Sequence, residues 1–184
     1  MTRRSFPIAA PLFLAILVAI SLNLACSGKH GTTVQNDEGE PAATAPIVST
    51  LKMSDPSARE QLAKGFYPLE AGAWRWTAGN FSVTLKTPPG AAQKGATLTL
   101  ALSVSDAVLK QVHSQTLAAS IGGAALKSEK YVDPGSHTFT ADIPATALTG
   151  DTVTIDFSLD NALPPAVDKR ELGVIVSSIG IESN

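Results

Sequence analysis

The chain runs to 184 residues, 44% of them apolar and 16% charged, and its 14 basic residues nearly balance 16 acidic ones for a net charge of −2. That balance excludes a long disordered chain and a nucleic-acid-binding surface, because both need a strong charge bias. One cysteine excludes an intrachain disulfide framework, and the length suits one domain with appendages.

Arg3 and Arg4 open the chain, an apolar run follows from Phe6 to Ile20, and small and apolar residues lead to Ala25-Cys26. A basic start, an apolar stretch shorter than the ~20 residues of a membrane span and a small-residue site are the parts of a secretory signal. An uncleaved N-terminal anchor is the alternative. The lone thiol also calls for a role, since a free exposed cysteine is a liability in an oxidising compartment. The segment Leu22-Asn23-Leu24-Ala25-Cys26 resembles the lipobox of bacterial lipoproteins, departing from it at Asn23, where that family prefers leucine. The resemblance implies a signal peptide over residues 1–25 and lipidation of Cys26 as the new N-terminus. It further implies a protein anchored in the cell membrane or outer membrane, facing the periplasm or the exterior. A chance cysteine beside a plain signal peptide is the competing reading. Losing Arg3 and Arg4 with the leader leaves 12 basic residues against 16 acidic ones, a net charge of −4. Such a chain has no electrostatic pull toward anionic phospholipid, so its membrane partner is reached through the acyl chains.

Residues 26–54 carry no aromatic side chain and scatter Gly, Pro, Thr, Ala and acids, the composition of a flexible linker with a span of roughly 30 Å. A short helix is predicted over 55–65. Asp55 suits the N-cap, Pro56 the first helical position, Lys64 the last turn and Gly65 a left-handed close. From Phe66 the period changes from 3.6 to 2. Phe81, Val83 and Leu85 alternate with polar residues, Leu98, Leu100, Leu102 and Val104 with Thr, Ala and Ser, and Phe139, Ala141 and Ile143, then Val153, Ile155, Phe157 and Leu159 repeat the pattern. Such alternation marks half-buried antiparallel strands. Pro88-Pro89-Gly90, Gly122-Gly123, Asp133-Pro134-Gly135 and Thr149-Gly150-Asp151 punctuate them as turns. The last segment, Leu172 to Ile181, changes phase at Ser177-Ser178, which reads as burial on both faces or a bulge. Asp106–Gln115 is left open between a helical turn and a crossing loop. Seven to nine short strands predict an all-β, antiparallel two-sheet β-sandwich over residues 66–184.

Chemistry is sparse. His30, His113 and His137 share no ligand spacing, the acids Asp156, Asp160 and Asp168 show no calcium-loop pattern, and no serine sits in a nucleophile elbow. No cofactor, catalytic residue or metal site is expected, the alternative being calcium held by loop carboxylates and carbonyls, as β-sandwiches often hold it. What stands out is Gly65-Phe66-Tyr67-Pro68-Leu69-Glu70 followed by Trp74-Arg75-Trp76-Thr77, which holds both tryptophans. In a strand Trp74 and Trp76 share one face and Arg75 takes the other. Two readings compete: indoles capping the core, with Arg75 paired to a carboxylate, or an aromatic shelf for sugar rings with Glu70 and Arg75 bonding hydroxyls. A second cluster, Asp168-Lys169-Arg170-Glu171-Leu172-Gly173, lies near the other end of the chain. Glu70, Arg75, Asp168 and Arg170 are therefore candidates for one ion-pair group closing the fold.

The two clusters, G-F-Y-x-x-E with R-W-T and D-x-R-E-L-G, resemble a jelly-roll module of bacterial secreted proteins that is also appended to glycosyltransferases. The resemblance covers Gly65 to Ile181 and implies a jelly-roll sandwich in a carbohydrate-associated setting, without catalytic residues. The leading expectation is a lipid-anchored envelope protein with a non-catalytic interaction module, partnered by another envelope protein. The alternative is a carbohydrate-binding module that takes a glycan at Glu70, Trp74, Arg75 and Trp76. An enzyme of unknown type is the least favoured reading, and nucleic acid is not among the expected partners.

Overall fold

The computed structural model describes residues 45–166 and 168–184. The predicted signal peptide 1–25, Cys26 and the linker up to residue 44 lie outside the described residues.

Nine strands are present among the described residues: β1 (Thr50–Lys52), β2 (Leu62–Phe66), β3 (Arg75–Lys86), β4 (Ala96–Val104), β5 (Gln115–Ile121), β6 (Ala124–Tyr131), β7 (Gly135–Ile143), β8 (Thr152–Leu159) and β9 (Ile175–Ser183). Every pairing is antiparallel. One sheet runs β7-β4-β9, with β1 and the start of β3 sharing the far edge of β9 end to end. The other runs β2-β3-β8-β5-β6. The long β3 belongs to both: Arg75 and Trp76 pair with β9, whereas Asn80–Lys86 pair with β8. The fold is an antiparallel two-sheet β-sandwich.

The alternating residues supply its core. Phe81, Val83, Leu85, Leu98, Leu100, Phe139 and Ile155 are fully buried, and Leu102, Val104 and Phe157 nearly so. Each contributes roughly 1.5–3 kcal/mol through burial. Phe81 lies directly across from Phe157 in the ladder and stacks on it at 4.8 Å. Phe139 reaches Phe157 from the opposite sheet, edge-on at 6.5 Å. The phase change in the last strand is a bulge: Ala101 opposes Ser178 and Leu102 opposes Val176, leaving Ser177 as the extra residue. The open segment is a helix, α2 (Asp106–Val112), preceded in the chain by the single turn α1 (Ala91–Lys94).

Two expectations need correction. The helix predicted over 55–65 is a 3₁₀ turn of five residues, Pro56–Glu60. Its start is as predicted, with Asp55 accepting from the Ser57 amide at 2.8 Å, but Leu62–Phe66 is strand β2. An eight-residue helix has little stability of its own, and pairing with β3 wins. Gly65 does take a left-handed φ of +73°, yet it serves an irregular strand, where a Cβ would collide with the Asn80 carbonyl oxygen. The linker predicted to Ser54 also ends earlier, and the folded unit begins before residue 66. Leu51 and Met53 are buried, and the Gln61 side chain exchanges two hydrogen bonds with the Val48 backbone while donating to the Thr84 carbonyl at 2.9 Å. The described residues form one compact unit.

Candidate functional site

The aromatic cluster lies on the hairpin that joins β2 to β3. The Tyr67 amide donates to the Trp76 carbonyl at 3.0 Å and the Glu70 amide to the Trp74 carbonyl at 2.8 Å. Ala71 and Gly72, both left-handed at φ +49° and +65°, turn the chain in the manner of a primed β-turn, which suits the right-handed twist of a hairpin. From there the side chains part company, because neighbours in a strand point to opposite faces.

One set closes the end of the sandwich. Glu70 accepts from Arg170 Nη1 at 2.7 Å, and Asp168 accepts from Arg170 Nε and Nη2 at 3.0 and 2.8 Å. The Arg170 guanidinium also lies 5.2 Å from the centre of the Tyr67 ring. The hydrogen bonds from Arg170 hold the Asp168 carboxyl below the usual carboxylate range, and those to Asp168 and Glu70 raise the Arg170 pKa. Beside this group the Thr77 hydroxyl accepts from the Val174 amide at 3.1 Å, the Gly173 amide donates to the Thr77 carbonyl at 2.7 Å, and Glu171 accepts from the Gly79 amide at 2.9 Å. Gly173 fits because any Cβ would meet the Ala78 carbonyl oxygen at 2.6 Å. The residues of the two sequence clusters thus meet across about a hundred positions of chain, and most of them hold each other.

Arg75 does not join them. Glu70, Asp168 and Arg170 come together as predicted, but Arg75 is directed elsewhere by its register opposite the buried Val176. Its Nη1 donates to the Tyr67 carbonyl at 3.1 Å and its Nε has no partner. Of the two polar residues of the sugar-shelf arrangement only Glu70 flanks an indole, standing directly opposite Trp74 across the hairpin. Glu70 is held by Arg170, and Arg75 lies on the opposite side of the strand from Trp76.

The tryptophans extend from Glu70, opposite Trp74, onto the outer face of the β7-β4-β9 sheet. Trp76 opposes Ile175, Ile175 opposes Ser103, and Ser103 opposes Ser136, so all four share the outer face of the β7-β4-β9 sheet. Ala101, Thr138 and Ser178 form the next row. Trp74 packs edge-to-face on Trp76 at 6.3 Å, and both indoles are half-buried rather than coplanar or enclosed. Trp74 walls a cavity of about 340 Å³ on this face, floored by Ala101, Ser103, Ser136 and Thr138 and reaching Ile175 and Ser177. The result is an aromatic wall beside a floor of small and hydroxyl side chains. The tryptophans were evident from the sequence; the floor was not identified. Its signal was the run of Thr, Ala and Ser at the outward positions of β4 and β7.

Among the described residues no group of three His, Cys, Asp or Glu is placed to hold a metal ion, and no helix is long and apolar enough to cross a membrane.

No protein-family model and no curated protein sequence matches the chain. Solved structures resemble it at low identity. The module CsCBM6-3 of Clostridium stercorarium, in complex with cellobiose, is 15% identical over 74% of this chain and 95% of its own, with a TM-score of 0.40. The C-terminal CBM6 of a marine laminarinase from Zobellia galactanivorans is 11% identical over 73% of this chain and 99% of its own, also at 0.40. A family GH115 4-O-methyl-alpha-glucuronidase is 11% identical over 77% of this chain at 0.43, where this chain spans only 18% of its length. These likenesses concern the β-sandwich architecture; the groove and the closing cluster are described by their own residues.

Proposed function

We propose that the sandwich is a non-catalytic carbohydrate-binding module and that its sugar-contact surface is the outer-face groove walled by Trp74. One observation carries this reading: a half-exposed indole, braced by a second tryptophan, stands beside a shallow floor of serine and threonine hydroxyls. The indole face matches the apolar C–H face of a sugar ring, while the hydroxyls match its rim. At about 340 Å³ the groove has room for one or two sugar units. The lipobox-like segment supports a setting at the cell envelope, with the module held by lipid on Cys26 and linked through the residues that follow.

A glycan array probed with the purified protein, run beside Trp74→Ala, tests the groove. Binding to one sugar class that falls at least tenfold in the variant is the expected result. An array without any bound glycan, or binding indifferent to Trp74, refutes it. The anchor is tested separately by palmitate labelling in cells, which Cys26→Ser should abolish.

A further inference from the structure

A second cleft lies at the end of the sandwich where Arg75 emerges. It measures about 590 Å³ and is lined by Arg59, Lys64, Phe66, Tyr67, Leu69 and Arg75 among others, with no carboxylate among its lining residues. That is a local inversion of charge in a chain whose net charge is −2. Arg59 is exposed on the 3₁₀ turn and forms no ion pair among the described residues. Lys64 has only a long contact with Asp156, at 3.7 Å. Arg75 is half-buried, bonds a backbone carbonyl through Nη1 and leaves its buried Nε without a partner. Desolvation, and then the charge of Arg59, both work against its protonated form. The fold thus holds two like-charged guanidiniums near each other without a counter-charge. Such an arrangement is costly unless something completes it.

We infer that this cleft binds an anionic sugar, the carboxylate of a uronic-acid unit meeting Arg59 and Arg75 while the ring lies against Phe66, Tyr67 and Leu69. A guanidinium fork fits a carboxylate in the two-pronged manner. The apolar share of the wall, including Leu69 at 37% exposure, fits a ring-bearing ligand better than a bare inorganic ion. This site shares no lining residue with the outer-face groove, so either can fail without the other.

The test is calorimetric titration of the full chain, purified in detergent, with tetragalacturonate, its fully methyl-esterified form and inorganic phosphate. The expected result is saturable binding of the acid form, at least tenfold weaker for the ester, weakened further by added salt, and weaker for phosphate alone. Arg75→Gln and, independently, Arg59→Gln should each lower affinity at least tenfold. The second variant keeps the test valid if the half-buried arginine proves necessary for folding, since Arg59 is exposed. Equal binding of acid and ester, stronger binding of phosphate, affinity unaffected by Arg59→Gln, or no binding at all would each overturn the assignment.

Discussion

Within a dozen residues the β2–β3 hairpin builds two kinds of surface. Tyr67, Glu70 and Thr77 are engaged by the 168–174 segment, and the main polar groups of that contact find partners within the protein. Trp74 and Trp76, and on the other face Arg75, have contacts that are incomplete: half-exposed indoles over a groove, and a guanidinium nitrogen without an acceptor. Both kinds look alike in the sequence, as aromatic and charged residues crowded together. They differ in saturation. Groups satisfied internally hold the fold, and groups left unsatisfied at a cavity are available to a ligand.

The largest expected break is at the base of the hairpin. Gly65→Ala places a Cβ against the Asn80 carbonyl oxygen and Phe81 at a left-handed position, and should cost about 3 kcal/mol or more in chemical denaturation, dismantling both surfaces together. Thr77→Val should cost about 1–3 kcal/mol, since it strips the Val174 amide of its acceptor in a buried setting. Arg170→Ala removes one cation that serves two carboxylates. With the side chains about a third exposed, the expected loss is about 1–2 kcal/mol.

The same cluster carries a pH signature. The Asp168 carboxyl titrates below its unfolded value because of the Arg170 hydrogen bonds. Its contribution is therefore complete above the unfolded pKa and is lost as pH falls through the lower folded one, from about pH 4 downward. Melting temperature followed against pH should show a shallower acid limb in Asp168→Asn than in the parent. The smallest effect is expected at the hairpin tip, where Ala71→Gly relieves a left-handed alanine and should stabilise by about 0.5 kcal/mol.

The sandwich was legible because its strands bury one face and solvate the other, so Leu98–Val104 and Val153–Phe157 announce themselves by period alone. Strand β1 was not, because three residues of which only Leu51 is buried leave no pattern inside a polar stretch. Strand β2 was hidden by a helix start that is real but stops after one 3₁₀ turn, since the pairing that redirects Leu62–Phe66 is made across the hairpin with β3, outside the local window in which the helix signals lie. Proximity of the two clusters was an expectation from the tendency of the first and last strands of a sandwich to be neighbours, and Glu70, Asp168 and Arg170 do meet. The fate of Arg75 was not readable. It depends on the register that sets Arg75 opposite Val176 and Trp76 opposite Ile175, and only the assembled ladder fixes that.

The central claim is that the hairpin separates holding from binding, and paired substitutions test it most directly. Affinity for the glycan found on the array and stability in denaturant are measured for Trp74→Ala and Arg170→Ala side by side. The account predicts that Trp74→Ala loses at least tenfold in affinity with stability within about 1 kcal/mol of the parent, while Arg170→Ala loses stability and keeps its affinity. Parent-like binding by Trp74→Ala, or loss of binding in a still-folded Arg170→Ala, would contradict it.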